Sequence, residues 1–171
     1  MTFKDLASKR YSCRKISDRP VDEAIIQHLL EVQRLAPTAC NNQPQRIYVL
    51  EGEEVAKKIA QTTPYDFGAS LFLVVCYDKE ASWKRRADGF DGGIMDAVIA
   101  ACHLDFAIAE AGLGTCWIGE FDPAKLSQVL ELPDHHVPVV IFPLGYPTEE
   151  AKPSRGHYSR EDLEHTVIRH S

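Results

Sequence analysis

With 171 residues, 44% apolar and 26% charged, the chain is sized for one domain (1–171) whose core needs no cross-links. The formal net charge of −6, with Lys84-Arg85-Arg86 as its only compact basic run, argues against a nucleic-acid-binding surface. No segment stays apolar for the roughly eighteen residues of a membrane span, and the N-terminus MTFKDLASKR lacks the apolar stretch of a signal peptide, so a cytoplasmic protein without a membrane partner is expected.

Thr2 followed by Asp5 has the form of a capping box and opens a short helix through about Lys9. The chain then reads Arg10-Tyr11-Ser12-Cys13-Arg14. In an extended segment residues 10, 12 and 14 share one side, and two guanidinium groups flanking a hydroxyl suit a phosphate or a polarised carbonyl. A solvated surface run is the other reading of the same residues.

Pro20-Val21-Asp22-Glu23 is a helix start, and Ile25, Ile26, Leu29, Leu30, Gln33 and Ala36 keep one face to about Ala36. The following segment, Ala36-Pro37-Thr38-Ala39-Cys40-Asn41-Asn42-Gln43-Pro44, is a loop held by two prolines and dense in amides. Amide side chains offer a donor and an acceptor each, as the edge of a heteroaromatic ring requires; an Asx-rich turn is the alternative. Ile47–Leu50 reads as a strand, Glu53–Ala60 as a short amphipathic helix, and Leu71–Tyr77 as a central strand. From Asp78 to Asp91 runs a polar, mixed-charge loop containing Trp83 and Lys84-Arg85-Arg86, suited to solvent, to an acidic substrate or to a nicotinamide cofactor's phosphates.

Gly93–Gly119 is the organising stretch. Its first twenty residues read as one helix about 30 Å long. Asp96, His103 and Glu110 form a narrow stripe, and apart from Asp105 the remainder is apolar or small, which predicts burial nearly all round. Gly112 suits a left-handed helix end, and Thr115–Ile118 a strand entering the same core.

Asp122 and Pro123 start another helix with Leu126, Val129 and Leu130 on one face, and His135-His136 read as solvated loop histidines. Val137–Leu144 is a strand whose two prolines predict an edge or irregular position. Lys152-Pro153-Ser154-Arg155 presents two cations. The tail, from about 150 to 171, with a terminal element through Val167 and Ile168, has few apolar residues to fold on and suits a crossing onto a partner subunit.

The five cysteines are widely spaced, with no Cys-x-x-Cys pair, which suits reduced thiols and predicts no metal. Gly112-Leu113-Gly114-Thr115 follows a helix and has no third glycine, so it is not a dinucleotide fingerprint. Neither a nucleophile elbow nor a singled-out carboxylate pair is present, and no catalytic side chain is nominated.

Four motifs in order resemble the nitroreductase family of FMN-dependent flavoproteins. They are Arg10–Arg14, Arg34–Pro44, Gly112–Gly119, and Leu144-Gly145-Tyr146-Pro147 with Arg155 beyond. The resemblance implies an α+β fold, a mostly antiparallel sheet flanked by helices, and an intertwined homodimer with FMN at the subunit interfaces. It implies cofactor contacts from Arg10, Tyr11, Ser12, Cys13 and Arg14. Lys152 and Arg155 would reach the phosphate, and Pro37, Thr38, Ala39, Asn41 and Gln43 would come from the opposite subunit. The backbone of Trp117, Ile118 and Gly119 would line the isoalloxazine ring. Lys152 lies three residues before Arg155 where the family more often has two, and Phe67-Gly68-Ala69-Ser70 lacks the family's Asn or Ala-Pro pattern. The implied activity is hydride transfer from NADH or NADPH, through the flavin, to nitroaromatic, quinone or flavin acceptors. The alternatives are a flavin-binding protein or flavin donor with little turnover, and a dehalogenase-like relative.

Overall fold

A computed structural model describes residues 1–170. The elements run α1 (Phe3–Lys9), α2 (Glu23–Arg34), β1 (Gln45–Glu51), α3 (Glu53–Ala60), β2 (Leu71–Asp78), α4 (Gly93–Glu110), β3 (Gly114–Thr115), α5 (Pro123–Val129), β4 (His136–Gly145) and α6 (Leu163–Thr166). The strands form one sheet in the order β1-β2-β4-β3, with every ladder antiparallel. The fold is α+β, as the four motifs implied. Among the described residues no helix is long and apolar enough to cross a membrane.

The apolar run of β2 is explained by its two faces. Leu71, Leu73 and Val75 join Ile26 and Leu29 of α2 and Ala97, Ala101, Leu104 and Ile108 of α4 in one core. Phe72, Val74 and Cys76 point the other way, into a second core with Ile59 of α3 and Leu126 of α5. A strand covered on both faces has no polar side, so period-2 alternation is absent from its sequence and present only in its packing.

The local signals hold closely. The Thr2–Asp5 capping box forms, Asp22 caps α2 and Asp122 caps α5, each by accepting a first-turn N–H. The capped first turn of α1 sets Phe3 edge-on against Phe106 of α4, centroids 5.0 Å apart. Gly112, at φ +74°, ends α4.

Three expectations are corrected. Of the two positions expected for β4, the irregular one holds, in the register shift opposite Val75/Cys76, and the edge does not: β4 lies between β2 and β3. Its prolines are tolerated because β3 covers only its last two residues, apart from a bridge from Ile118 to Ile141, and because the ladder shifts register opposite Val75/Cys76. Second, α4 is not buried all round. Its inner face is closed by alanines, but Ile94, Met95 and Ile99 are 48%, 45% and 37% exposed, an open apolar strip in the single chain. Third, His135 lies in the turn before β4, as expected, but both histidines are half-buried and not solvated; His136 is the first residue of β4, and its Nδ1 meets the Tyr48 hydroxyl at 2.5 Å. Cys13, Cys76 and Cys116 are buried, and Cys40 and Cys102 exposed, all five as free thiols.

Candidate active site

Leaving α1, the segment Arg10–Arg14 runs parallel to β3. Ser12 bridges Thr115, and the Cys13 N–H donates to the Thr115 carbonyl at 2.8 Å. The close approach depends on Gly114, where a Cβ would stand 2.8 Å from Sγ and 2.9 Å from Cβ of Cys13. Extended geometry then sorts the side chains: Cys13 is fully buried, while Arg10, Ser12 and Arg14 face one cleft. Further along, Ser17 N–H donates to the Tyr146 carbonyl at 2.9 Å and Thr148 N–H to the Lys15 carbonyl at 3.1 Å, tying this segment to the end of β4.

Two clefts meet at Arg14. The first, about 290 Å³, is lined by Arg10, Ser12, Arg14, Ser154, Gly156, His157 and Arg160. Three guanidinium groups with two serines around one hollow form an anion site. Arg10 is steadied by Asp105 of α4, N to O 3.6 Å. Burial raises the Asp105 carboxyl above the usual range although the Arg10 charge opposes the shift. The second cleft, about 310 Å³, is lined by Arg14, Tyr65, Phe67, Cys116, Trp117, Ile118, Gly119 and Glu120. Tyr65 and Phe67 stack at 5.9 Å with an interplanar angle of 23°, and Trp117 stands edge-on to Phe142 at 5.2 Å. Phe67 takes a left-handed φ of +52°, a conformation that costs a non-glycine residue about 1–2 kcal/mol, and thereby faces the cleft. Cys116 has its thiol raised by burial, against the opposing Arg14 charge and a Ser12 hydrogen bond.

The Pro37–Gln43 loop is elsewhere. The Ala39 N–H donates to Oδ1 of Asp96 at 2.9 Å, pinning the loop to the first turns of α4. Thr38 Oγ1 accepts the Gln43 N–H at 3.0 Å, and the Gln43 side-chain amide donates to the Asn41 carbonyl at 3.3 Å. Cys40, Asn41 and Gln43 all have φ near +50°, the densest cluster of left-handed non-glycine residues in the described chain. Pro37, Asn41 and Gln43 are exposed, Thr38 and Ala39 half-buried, and none of the five lines either Arg14 cleft. Asp96 and Asp105 are nine residues apart, so the loop and the Arg10 anchor sit about 14 Å apart along one helix.

Of the remaining expected residues, Tyr11 is half-buried, packs edge-on to His157 at 6.4 Å, and has its phenol pushed up to about 12, chiefly by burial. Lys152 lines a neighbouring hollow of about 550 Å³ with Arg14 and Lys15. Arg155 is exposed at the head of a 3₁₀ turn and lines none of these hollows; Arg160 and His157 of the same tail do. Sequence reasoning missed Asp105, Tyr65, Phe67, His157 and Arg160. Asp105 did leave a signal, as the one carboxyl off the polar stripe of an apolar helix.

The model of the nitroreductase family matches residues 7–66 and 64–146. A Methanothermobacter thermautotrophicus protein, provisionally named an NADH dehydrogenase/NAD(P)H nitroreductase, is 30% identical over 82% of this chain and 74% of its own length. The Bacillus subtilis protein named FMN reductase [NAD(P)H] is 28% identical over 87% of this chain and 67% of its own. A crystal structure of a nitroreductase family protein from Clostridium difficile 630 superposes with a TM-score of 0.93 at 34% identity, covering 100% of this chain and 99% of that one. With the family model matched over most of the chain's length and the whole chain superposing on a family member, the chain belongs to the nitroreductase family.

Proposed function

We propose that this protein binds FMN and uses NADH or NADPH to reduce small planar aromatic acceptors: nitroaromatics, quinones or free flavins. The observation that carries this reading is the junction at Arg14 of a cationic cleft and an aromatic-lined one. FMN has one phosphate and one planar ring, and the donor set fits both ends. Bound there, the flavin supplies the hydride chemistry.

The chain's own residues bind and orient. Arg10 and Arg160, with the Ser12 and Ser154 hydroxyls, hold the phosphate, and Asp105 keeps Arg10 in place. Arg14 brings a positive charge to the ring end, where it stabilises added negative charge. The Ile118 N–H and carbonyl are both committed to Ile141, at 3.0 and 3.1 Å, so the backbone left to meet the ring edge is that of Trp117 and Gly119. Tyr65 and Phe67 exclude water from one wall.

The proposed protein is a homodimer. The open apolar residues Ile94, Met95 and Ile99 lie on the first turns of α4, beside the Asp96 contact that holds the Pro37–Gln43 loop. A partner related by a two-fold axis would cover these residues, and the dimer would bring each Pro37–Gln43 loop to the partner's clefts. Tyr158, Leu163 and Ile168 of the tail, 76–80% exposed, are given a surface by the same partner.

The test is the visible spectrum of the purified protein before and after anaerobic NADH or NADPH. An oxidised-flavin spectrum that bleaches is expected. A flavin spectrum that persists would make the protein a carrier, and failure to bind added FMN would overturn the assignment.

A further inference from the structure

Asp78 closes β2 and His136 opens β4, and the two are direct partners in the antiparallel ladder. His135 sits in the turn that delivers β4, held there because its carbonyl accepts the Lys79 N–H at 2.8 Å. The two imidazole rings lie edge to face with centroids 4.6 Å apart. One carboxyl oxygen of Asp78 and one ring nitrogen of each histidine fall within 4.8 Å of one another, the only such trio of His, Cys, Asp or Glu among the described residues. The geometry points to a divalent transition-metal site of the Zn²⁺ class at Asp78, His135 and His136.

The donor set selects the ion. Two imidazoles and one carboxylate suit Zn²⁺, whereas Ca²⁺ and Mg²⁺ require more oxygen, and three protein ligands leave a fourth position for water. Tetrahedral bonds of about 2.0–2.2 Å set ligand atoms about 3.3–3.5 Å apart, so the trio closes by at most about 1.5 Å. Side-chain rotation supplies this, since among the described residues the His135 ring has no hydrogen-bond partner and both rings are half-buried. The backbone is fixed by the ladder. Nδ1 of His136 meets the Tyr48 hydroxyl at 2.5 Å, so a metal bound through Nε2 would leave Tyr48 as the outer partner that orients the ring.

One cation already occupies the neighbourhood. Arg46 Nη2 donates to Oδ2 of Asp78 at 3.0 Å, while Nη1 donates to the carbonyls of Gln43 and Gln45 at 3.1 and 2.9 Å. Metal entry at Oδ2 displaces only the Nη2 contact. Oδ1 keeps the N–H groups of Glu80 and Ala81, at 2.9 and 3.3 Å. Arg46 is therefore a built-in competitor. The site lies eight residues along β4 from Leu144, the partner of Thr115, or about 27 Å from the Arg14 end of the sheet, and it stands independently of the flavin reading.

The experiment titrates ZnCl₂ into untagged, chelator-stripped protein, otherwise as purified, by calorimetry, with the thermal midpoint followed in parallel. Expected are one Zn²⁺ per chain and a raised midpoint. His135→Gln should lose more than the roughly ten- to hundredfold that removal of an outer partner costs, with the metal-free midpoint kept, and Arg46→Gln should bind more tightly. Absence of saturable Zn²⁺ uptake would overturn the site. So would uptake that survives His135→Gln and disappears on replacing the exposed Cys40 and Cys102 by serine.

Discussion

Asp96 and Ala39, 57 positions apart, share one hydrogen bond of 2.9 Å, and through it α4 holds the loop that carries Thr38, Asn41 and Gln43. Asp96 is only 3% exposed, and its second carboxyl oxygen is buried without a partner among the described residues. Asp96→Ala leaves the Ala39 N–H unpaired, at a cost of about 1–3 kcal/mol. The loop's three left-handed residues then relax. Under the dimeric flavin reading, FMN binding should weaken by up to about a hundredfold, read by flavin fluorescence titration. An unchanged FMN affinity with a lowered thermal midpoint would confine the bond to stability.

Arg14 is the one side chain common to the cationic and the aromatic cleft. Charge-assisted hydrogen bonds contribute about 1.5–3 kcal/mol each, so Arg14→Ala should weaken FMN binding by about ten- to a hundredfold. Being exposed, the side chain should leave the thermal midpoint of the flavin-free protein within a degree or two of wild type, about the ±0.5 kcal/mol of a surface change. Retention of flavin at wild-type strength would remove Arg14 from the site.

Asp105 gives a pH dependence whose sign is fixed by burial. Its folded pKa is raised above the unfolded value, so between the two the native state holds the extra proton. The stability this confers is full below the unfolded pKa and is lost as pH rises through the raised folded value. Asp105→Asn is neutral throughout. The midpoint of the variant minus that of wild type should therefore be more positive at neutral pH than near pH 4, measured by scanning calorimetry. A flat difference would mean that the Arg10 ion pair offsets the burial.

Gly114→Ala forces a methyl against Cys13, whose Sγ and Cβ stand 2.8 and 2.9 Å from it. Overpacking of this kind costs about 1–3 kcal/mol. Combining it with Cys13→Ala removes one of the two clashes, so the double variant should lose less than the sum of the singles by about 0.5 kcal/mol or more in urea unfolding. Strict additivity would show that the Arg10–Arg14 segment shifts away from β3 instead.

Much of the fold was legible because its signals are local. Thr2, Asp22 and Asp122 announce helix starts, Glu53–Ala60 is bounded as expected, and the unbroken run of β2 marks a strand covered on both faces. Alternation also placed Arg10, Ser12 and Arg14 together, since one extended segment is enough to sort them. The prolines of β4 misled about an edge, because the shortness of β3, which leaves most of one β4 flank free, is a property of its neighbour.

The sequence by itself determined most of the elements and the residue types suited to a phosphate and a planar ring, because these follow from propensity and side-chain chemistry within a few residues of one another. Only the tertiary structure decided which of them meet. Asp105 reaches Arg10 because α4 passes beneath the Arg10–Arg14 segment, and Arg160 faces the cleft instead of Arg155 because of one 3₁₀ turn. Tyr65 and Phe67 face Trp117 through a single left-handed residue, and Asp78 meets His136 through the register of two strands 58 positions apart. Register and crossing are set by the burial of whole faces, a sum over many distant residues that no local pattern contains.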